Sequence, residues 1–597
     1  MIYAGIIHFS NSSDRVHQVG SILAFYTEKS PTVIKKNALT LFYGKLSELQ
    51  DKDDIWENDF SLLIGRIFDN HNKTAFEKKA FKNIFSFNKE EGLAKFWGKY
   101  IYIVSMPETN SFNIVIDPAG QLPFFYYVFP EGDVLFSSNI EIILKILEKN
   151  PDYNWKYLYA YLVYGNSCAV QTPFKDIYEL PPACYLHISK KDKITKSFWN
   201  PLSSYTSVCY QDKDAVDILQ VTLKPWIEPY ENICVSLSGG LDSSCLVYCL
   251  QELIQKNQNL TALNYFHSQM KASNELDYAR RVCEEVGVKL IEMDASEYLP
   301  CEPVNYNHSL LPNKPSPGLL SMKWLGNILA YLPLDKSCTF ISGHGSDHVF
   351  MRPPSKKSIS DYIIEKGLWG SKQTLEAITT FYRESVFSTL KENIIDLGFY
   401  FMRHRAHKKH VKNLQEKPAY WLKKDALNNV PDAFVHPIYS DLPLRIPPGK
   451  YTQIDLFYEA LASLHMEINP ILPTYYPYLY EPVVNFALSF PTYDLFDKGY
   501  DRYPLRKSVS ERFKTETVWR RDKGQTTGIF QLGVKKNLEY VLDTCLEGQF
   551  SRQGFINKKE LEESIKRISN GDINYMSHFS HLASAEIFLQ YWNNKFQ

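Results

Sequence analysis

The sequence predicts two differently built parts: an α+β, β-rich segment over residues 1–205, then an α/β segment over 206–597 that has a parallel sheet and a helical C-terminal portion. Three observations predict this. Short strand-like runs separated by turn residues fill the first part. Strand and helix patterns then alternate from Ile233 to Asp294, the signature of a parallel sheet with crossovers. From about Ser355 onward, long helical patterns dominate.

In the first part the runs are YIYIVSM, FNIVID, FFYYVF and DVLFSS, punctuated by Pro-Glu-Thr-Asn, Asp-Pro-Ala-Gly and Pro-Glu-Gly-Asp. Such clusters close tight turns between strands. The polar stretch WNPLSSYTS, Trp199–Ser207, reads as a linker. Beyond it come an apolar strand ending at Leu237, a helix with Leu246, Val247, Leu250, Leu253 and Ile254 on one face, and LTALNYF as a second strand. ELDYARRVCEEVG then reads as a helix and VKLIEMD as a third strand.

A chain of 597 residues exceeds one hydrophobic core, so more than one domain is expected. The formal net charge of −1 at pH 7 excludes a dedicated nucleic-acid binder, which would carry a basic excess. Ten cysteines without paired metal spacing point to reduced thiols in a cytoplasm. The start MIYAGIIHFSNSS lacks a basic n-region and a sustained apolar run, so no signal peptide is expected. No apolar stretch reaches the roughly 18 residues a membrane span needs.

Between the first α/β strand and its helix the chain reads SLSGGLDSS, Ser236–Ser244. Strand, glycine turn and helix form a phosphate cradle: helix N-terminal N–H groups are unpaired, and glycines let a bulky anion approach. Gly-Lys-Ser/Thr is missing, so this is not the common lysine-bearing phosphate loop. S-G-G-x-D-S resembles instead the pyrophosphate loop of ATP pyrophosphatases, enzymes that cleave ATP between its α and β phosphates. That resemblance implies that Asp242 helps hold Mg²⁺ while Ser238, Gly239, Gly240, Ser243 and Ser244 grip pyrophosphate, with Ser236 at the loop entrance.

Further motifs extend the resemblance along the whole chain, which is similar to asparagine synthetase-type enzymes. NIVIDPAGQLPFFYY resembles a family hairpin through Asp117, Gly120 and Pro123, and FKDIYELPPACYL a closing segment through Pro181 and Pro182. SGHGSDHVF, Ser342–Phe350, resembles the family's S-G-x-G-S/G-D-E-x-F; YPYLYEPVVNFALSFP, DRYPLRKS and WRRDKG follow in family order. The resemblance implies a glutaminase-like, Ntn-type β-sandwich domain over 1–205 and an ATP-pyrophosphatase synthetase domain over 206–597. It also implies ATP and Mg²⁺ as cofactors.

The family's glutaminase uses an N-terminal cysteine at position two as nucleophile. Here that position is Ile2, no serine or threonine replaces it, and the first cysteine is Cys168. The N-terminal domain is therefore expected to be structural, and the nitrogen must arrive as a substrate amine. Two branches of the family work this way: β-lactam synthetases and the cyclases that close the macrolactam ring of lasso peptides.

The resemblance assigns further residues. Asp347 matches a second Mg²⁺ ligand beside Asp242, and Gly345 joins the nucleotide-binding set. Lys523 matches a catalytic lysine that would neutralise charge in both half-reactions. Arg502 stands where the family has a second basic residue for pyrophosphate, with Arg506 as a rival. His344 occupies a position where asparagine synthetases carry Glu and β-lactam synthetases Tyr. An imidazole there reads either as the base for an incoming ammonium or as a loop histidine. His404, His407 and His410 in RHRAHKKHVK share a helix face, read as a solvated basic surface, with metal binding or peptide docking as alternatives.

The resulting expectation is a lasso peptide macrolactam synthetase that adenylates an Asp or Glu side chain of a precursor peptide and closes an isopeptide ring. A leader peptidase and a leader-binding protein are further candidate partners. The alternatives are a small-molecule amide or β-lactam synthetase, a glutamine-independent asparagine synthetase-like enzyme, and an idle scaffold of the same fold.

Overall fold

The computed structural model describes residues 1–9, 14–36, 38–45, 55–57, 59–69, 96–203, 205, 213–268, 270, 274–303, 310–332, 337–402, 419–423, 434–443, 445–464, 472–521, 524 and 527–596. Among the described residues, twelve strands of the N-terminal part form two antiparallel six-stranded sheets. In chain order they are β1 (Ile2–Ile7), β2 (Thr32–Lys36), β3 (Leu39–Gly44), β4 (Ile55–Glu57), β5 (Ser61–Asp69), β6 (Phe96–Met106), β7 (Ser111–Ile116), β8 (Phe125–Val128), β9 (Val134–Ser137), β10 (Ile177–Glu179), β11 (Cys184–Ser189) and β12 (Lys193–Ser197). One sheet runs β10-β8-β9-β1-β3-β2 and the other β12-β11-β7-β6-β5-β4.

Ile7, Leu41 and Phe136 of the first sheet share a core with Ile64, Ile103 and Ile114 of the second, so the sheets pack face to face. The four runs read from sequence lie in β6 to β9. Ile2 is 1% exposed in β1, paired with Gly44, and acts as a core residue. Cys168 and Cys184 are buried, and burial pushes the Cys168 thiol up to about 12. Neither is a poised thiolate.

The second part carries a parallel sheet of order β15-β14-β13-β16-β17, with β13 at Asn232–Ser236, β14 at Asn259–Phe266, β15 at Lys289–Asp294, β16 at Cys338–Ile341 and β17 at Thr474–Tyr475. From β13 the chain builds outward to β15, then returns to the other side for β16. The order reverses between β13 and β16, which makes the crevice beyond their carboxyl ends the place where such sheets bind ligands. Helices flank this sheet and dominate from Ser358 onward. The last, Met576–Phe596, packs back on the N-terminal helices: Tyr161 and Ser584 hydroxyls lie 2.8 Å apart, and the Phe174 and Trp592 rings 4.5 Å.

The two parts meet through aromatic packing. Phe68 of β5 and Trp97 of β6 lie 4.8 Å apart; Trp226 lies 4.9 Å from Phe68 and stacks on Tyr480 at 4.9 Å. Trp199, where the linker was expected to begin, is buried against Phe457. Residues 204 and 206–212 of that region lie outside the described set. All described cysteines are free and buried. Among the described residues, no helix is long and apolar enough to cross a membrane.

Two buried carboxyls sit at this junction. Burial pushes Glu481 up to about 8, with Asn485 opposing and the neighbouring Asp117 adding to the shift. Burial likewise pushes Asp117 up to about 7, against the N–H groups of Tyr100, Gly120 and Ala119. A raised carboxyl value means that the folded state holds its proton more tightly than the unfolded chain. Its stabilising effect is complete in acid and is lost as pH rises through the raised value. Thermal stability is therefore expected to fall from about pH 4, where the unfolded carboxyls ionise, to about pH 8, where Glu481 ionises in the folded chain, and to level off above that. Glu481→Gln should flatten that slope in calorimetry; an unchanged slope would remove Glu481 as its source.

Candidate active site

The site begins with β13, whose residues Ile233 to Val235 are fully buried and hydrogen-bonded to β14 and β16. At its end the chain turns through Ser238–Gly240 into the helix Leu241–Leu253. Gly239 adopts φ +82°, and a Cβ there would lie 2.8 Å from the Glu275 carbonyl oxygen, so the turn needs glycine on both counts. The residue before the helix makes no side-chain cap, so the first N–H groups of the helix lack that acceptor.

The serines brace this loop. Ser238 Oγ accepts from Gly240 N at 3.2 Å and lies 3.2 Å from Ser243 Oγ; the Ser244 hydroxyl donates to the Gly240 carbonyl at 2.7 Å. Ser236 ends β13, opposite Leu263.

The neighbouring strand β16 supplies the second loop, because Val235 and Ile341 are register partners. A Cβ at Gly343 would lie 3.2 Å from the Ser243 nitrogen, so the two loops touch. Gly345, at φ +98°, leads into the short helix Ser346–Val349 that carries Asp347; a Cβ there would lie 2.5 Å from Leu479. Tyr478 donates its hydroxyl to the Asp242 carbonyl at 2.9 Å, pinning the first loop from the far side.

Arg502 joins the loops. One guanidinium nitrogen, Nη1, donates to Asp242 Oδ1 and Oδ2 at 2.8 and 2.6 Å and also to Asp347 Oδ1. Its Nε donates to Asp501 Oδ1 at 3.1 Å. Arg502 is 1% exposed. Burial alone would lower its proton affinity, but Asp242, Asp347 and Asp501 together hold it above the usual arginine range. Arg506 backs the arrangement, donating to Asp501 Oδ1 at 3.0 Å and to the Asp501 carbonyl at 2.8 Å. So Arg502, expected at the pyrophosphate, bridges the two aspartates expected at the metal, and Arg506 holds Asp501 beside them.

Magnesium takes oxygen ligands and is held by one or two protein carboxylates plus substrate phosphates. Asp242 and Asp347, converging on one guanidinium nitrogen and both partly exposed, match that donor set. Among the described residues, no group of three or more His, Cys, Asp or Glu could hold a metal by itself.

Beside the loops opens a cleft of about 490 Å³, lined by Gly240 and Leu241 at the helix mouth and by Arg352, Arg383, Arg502, Arg506, Arg520 and Arg521. Arg520 donates to the Gly239 carbonyl at 2.8 Å and to Glu275, with its guanidinium 3.7 Å over the Tyr278 ring. Arginines and a helix N-terminus around one cleft suit phosphate oxygens. Sequence reading missed Arg352 and the bracing role of Arg520. The adjacent Arg-Arg pair in WRRDKG was the available signal for the latter.

His344 lies on the second loop. Its Nε2 is 3.1 Å from the Ala460 carbonyl oxygen and 2.9 Å from Ser463 Oγ. A carbonyl only accepts, so Nε2 carries the proton and Nδ1 is the basic nitrogen. Lys523 and the segment 403–412 lie outside the described residues.

Two family models match separate stretches of the chain. The Asparagine synthase family matches residues 230–358 and 466–594, and the Glutamine amidotransferase domain matches 82–199. The chain is similar to the Microcin J25-processing protein McjC of Escherichia coli, 25% identical over 341 residues. That match takes in 55% of each protein, so the chain spans about half the length of this curated relative. Among solved structures, it is similar to the U34-tRNA thiolase NcsA of Methanococcus maripaludis, at 21% identity over 27% of this chain and 51% of that one, with a TM-score of 0.18. It is also similar to glutamine phosphoribosylpyrophosphate amidotransferase of B. subtilis, at 8% identity over 57% and 90%, with a TM-score of 0.23.

Proposed function

We propose that this chain is an ATP-dependent, AMP-forming amide ligase that closes a macrolactam in a precursor peptide, as in lasso peptide biosynthesis, a reading supported by the Asparagine synthase family's match to residues 230–358 and 466–594. The observation that carries the reading is the convergence of Asp242 and Asp347 on Arg502, at the ends of adjacent parallel strands. The similarity to a microcin J25-processing protein supports a peptide substrate.

In this reading the N-terminal domain, 1–205, is structural and the synthetase domain, 206–597, does the chemistry. ATP lies across the crevice with its phosphates on the loop Ser236–Ser244 and in the arginine cleft. The uncapped N–H groups of the helix Leu241–Leu253 receive phosphate oxygens, Gly239, Gly240 and Gly345 allow close approach, and Ser238, Ser243 and Ser244 keep the loop in shape. Asp242 and Asp347 would hold Mg²⁺, which supplies positive charge to the pyrophosphate as it leaves.

A substrate Asp or Glu carboxylate attacks the α-phosphorus and expels pyrophosphate. The peptide's N-terminal amine then attacks the acyl-adenylate carbon and expels AMP. His344, with Nδ1 basic, accepts the proton that the amine nitrogen sheds as it bonds to the acyl carbon, and Lys523 neutralises charge in both steps. The free, buried thiols among the described residues support a reducing, cytoplasmic setting, and a leader peptidase and leader-binding protein would supply the cleaved peptide.

A second reading, a small-molecule amide or β-lactam synthetase, draws on the cleft volume, which lies in the range that takes small ligands. One assay separates them. With Mg-ATP and peptides bearing a free N-terminal amine and an acidic side chain, AMP and pyrophosphate are expected only when peptide is present. Glutamine should release no glutamate. ADP as product, or glutamate release, would overturn the proposal; turnover of small amino carboxylates but not peptides would favour the second reading.

A further inference from the structure

The helix Val386–Phe401 faces the wrong way for a helix covering a core. Its buried residues are Thr389, Asn393 and Asp396, whereas Phe387, Ile394, Ile395 and Phe401 are exposed. At about 100° per residue the buried polar residues fall on the side opposite Phe387, Ile394 and Phe401.

Hydrogen bonds fix this orientation. Ser360 donates its N–H and hydroxyl to Asn393 Oδ1 at 3.0 and 2.6 Å, and Asn393 Nδ2 donates to the Lys356 carbonyl at 3.2 Å. Rotating the helix to bury its apolar side would strand these groups at a cost of roughly 1–3 kcal/mol each. The outward face is therefore built in.

Along that face Phe387, Leu390, Ile394, Leu397 and Phe401 recur in steps of three and four, the spacing of a helix–helix seam. Phe387, Ile394 and Phe401 are 77%, 66% and 61% exposed, and the two leucines are half-buried. The seam reads Phe-Leu-Ile-Leu-Phe in both directions, so an antiparallel copy meets like residues. Gly398 lies on the same face, where an added Cβ would meet only the Met402 methyl, at 3.8 Å, which leaves room for close backbone approach.

Leu368 and Trp369 precede the helix Ser371–Tyr382, which packs on Val386–Phe401, and Trp369 is 94% exposed. With Val386, Ile395 and Met402 they extend the exposed apolar surface. At on the order of 100 Å² each, these side chains offer roughly 800 Å², above the usual patch on a monomer and equal to one side of a standard interface.

We propose that this seam joins two copies of the chain in an isologous dimer. Self-complementarity is what a two-fold interface requires. The helix lies in 359–465, between the two blocks matched by the Asparagine synthase family, so the surface is a feature of this chain apart from the matched family core. Thr380, Phe381 and Arg383 of the same helical pair line the arginine cleft, so dimerisation would buttress one wall of each active site.

Sedimentation velocity on the full chain over the micromolar range tests this. Wild type should sediment at twice the 69.3 kDa chain mass, and Ile394→Lys at the single-chain mass with unchanged circular dichroism. Phe387→Ser provides a second, milder break if Ile394→Lys perturbs the fold. Wild type at the single-chain mass throughout, or both variants still paired, would overturn the proposal. So would a single-chain wild type that co-sediments with phosphatidylserine vesicles, which would assign the face to lipid.

Discussion

Asp347→Asn should lower pyrophosphate exchange into ATP by at least roughly 10²-fold, the scale of losing one well-placed electrostatic group at a reacting phosphate. The substitution keeps the shape of the side chain and removes the charge that faces Asp242 across the Arg502 guanidinium. Folding should persist: Asp347 is partly exposed, and Asp242 and Asp501 still neutralise the buried arginine. The loss should therefore appear with an unchanged unfolding midpoint. Exchange near the wild-type rate in a folded Asp347→Asn variant would remove this residue from the metal site.

The second large effect separates the half-reactions. His344→Ala should spare pyrophosphate exchange and slow ring closure by on the order of 10²- to 10⁴-fold, because a base for the ammonium acts only after the acyl-adenylate exists. The contact of Nε2 with the Ala460 carbonyl leaves Nδ1 as the proton acceptor. Lys523→Ala should instead impair both steps, since its charge would serve phosphate oxygens in each. Equal losses in exchange and closure for His344→Ala would make this residue an organiser of the nucleotide site. No loss in either would make it a loop histidine.

Local patterns in the sequence were enough for the strand–turn–helix shape of the loop Ser236–Ser244. An apolar run, two glycines and an amphipathic helix are all adjacent, and the structure places them as β13, turn and helix. The neighbour β16 was not visible in the same way: CTFI is four residues long, and its partner β17 only two, too short for any periodicity. The bridging by Arg502 was beyond pattern reading because it joins residues 260 and 155 positions away. The family resemblance implied a pyrophosphate contact, whereas three surrounding carboxylates decide where the guanidinium goes. The helix Val386–Phe401 makes the complementary point. Its apolar stripe would be assigned to the core from sequence, and only the Ser360–Asn393 hydrogen bonds reveal that it faces out.

The placement of the two aspartate loops on adjacent strands bears on how such an enzyme can change over evolutionary time. Their separation is set by the backbone ladder pairing Val235 with Ile341, which any sequence able to form the sheet reproduces. In the proposed function the reaction geometry is thus inherited with the strand register, and the 359–465 segment between the matched family blocks can diverge without shifting either carboxylate. Substrate range and assembly can then be revised by selection while phosphate chemistry stays constant. Homologues with this strand order are expected to differ most in that segment and least in the spacing of Asp242 and Asp347.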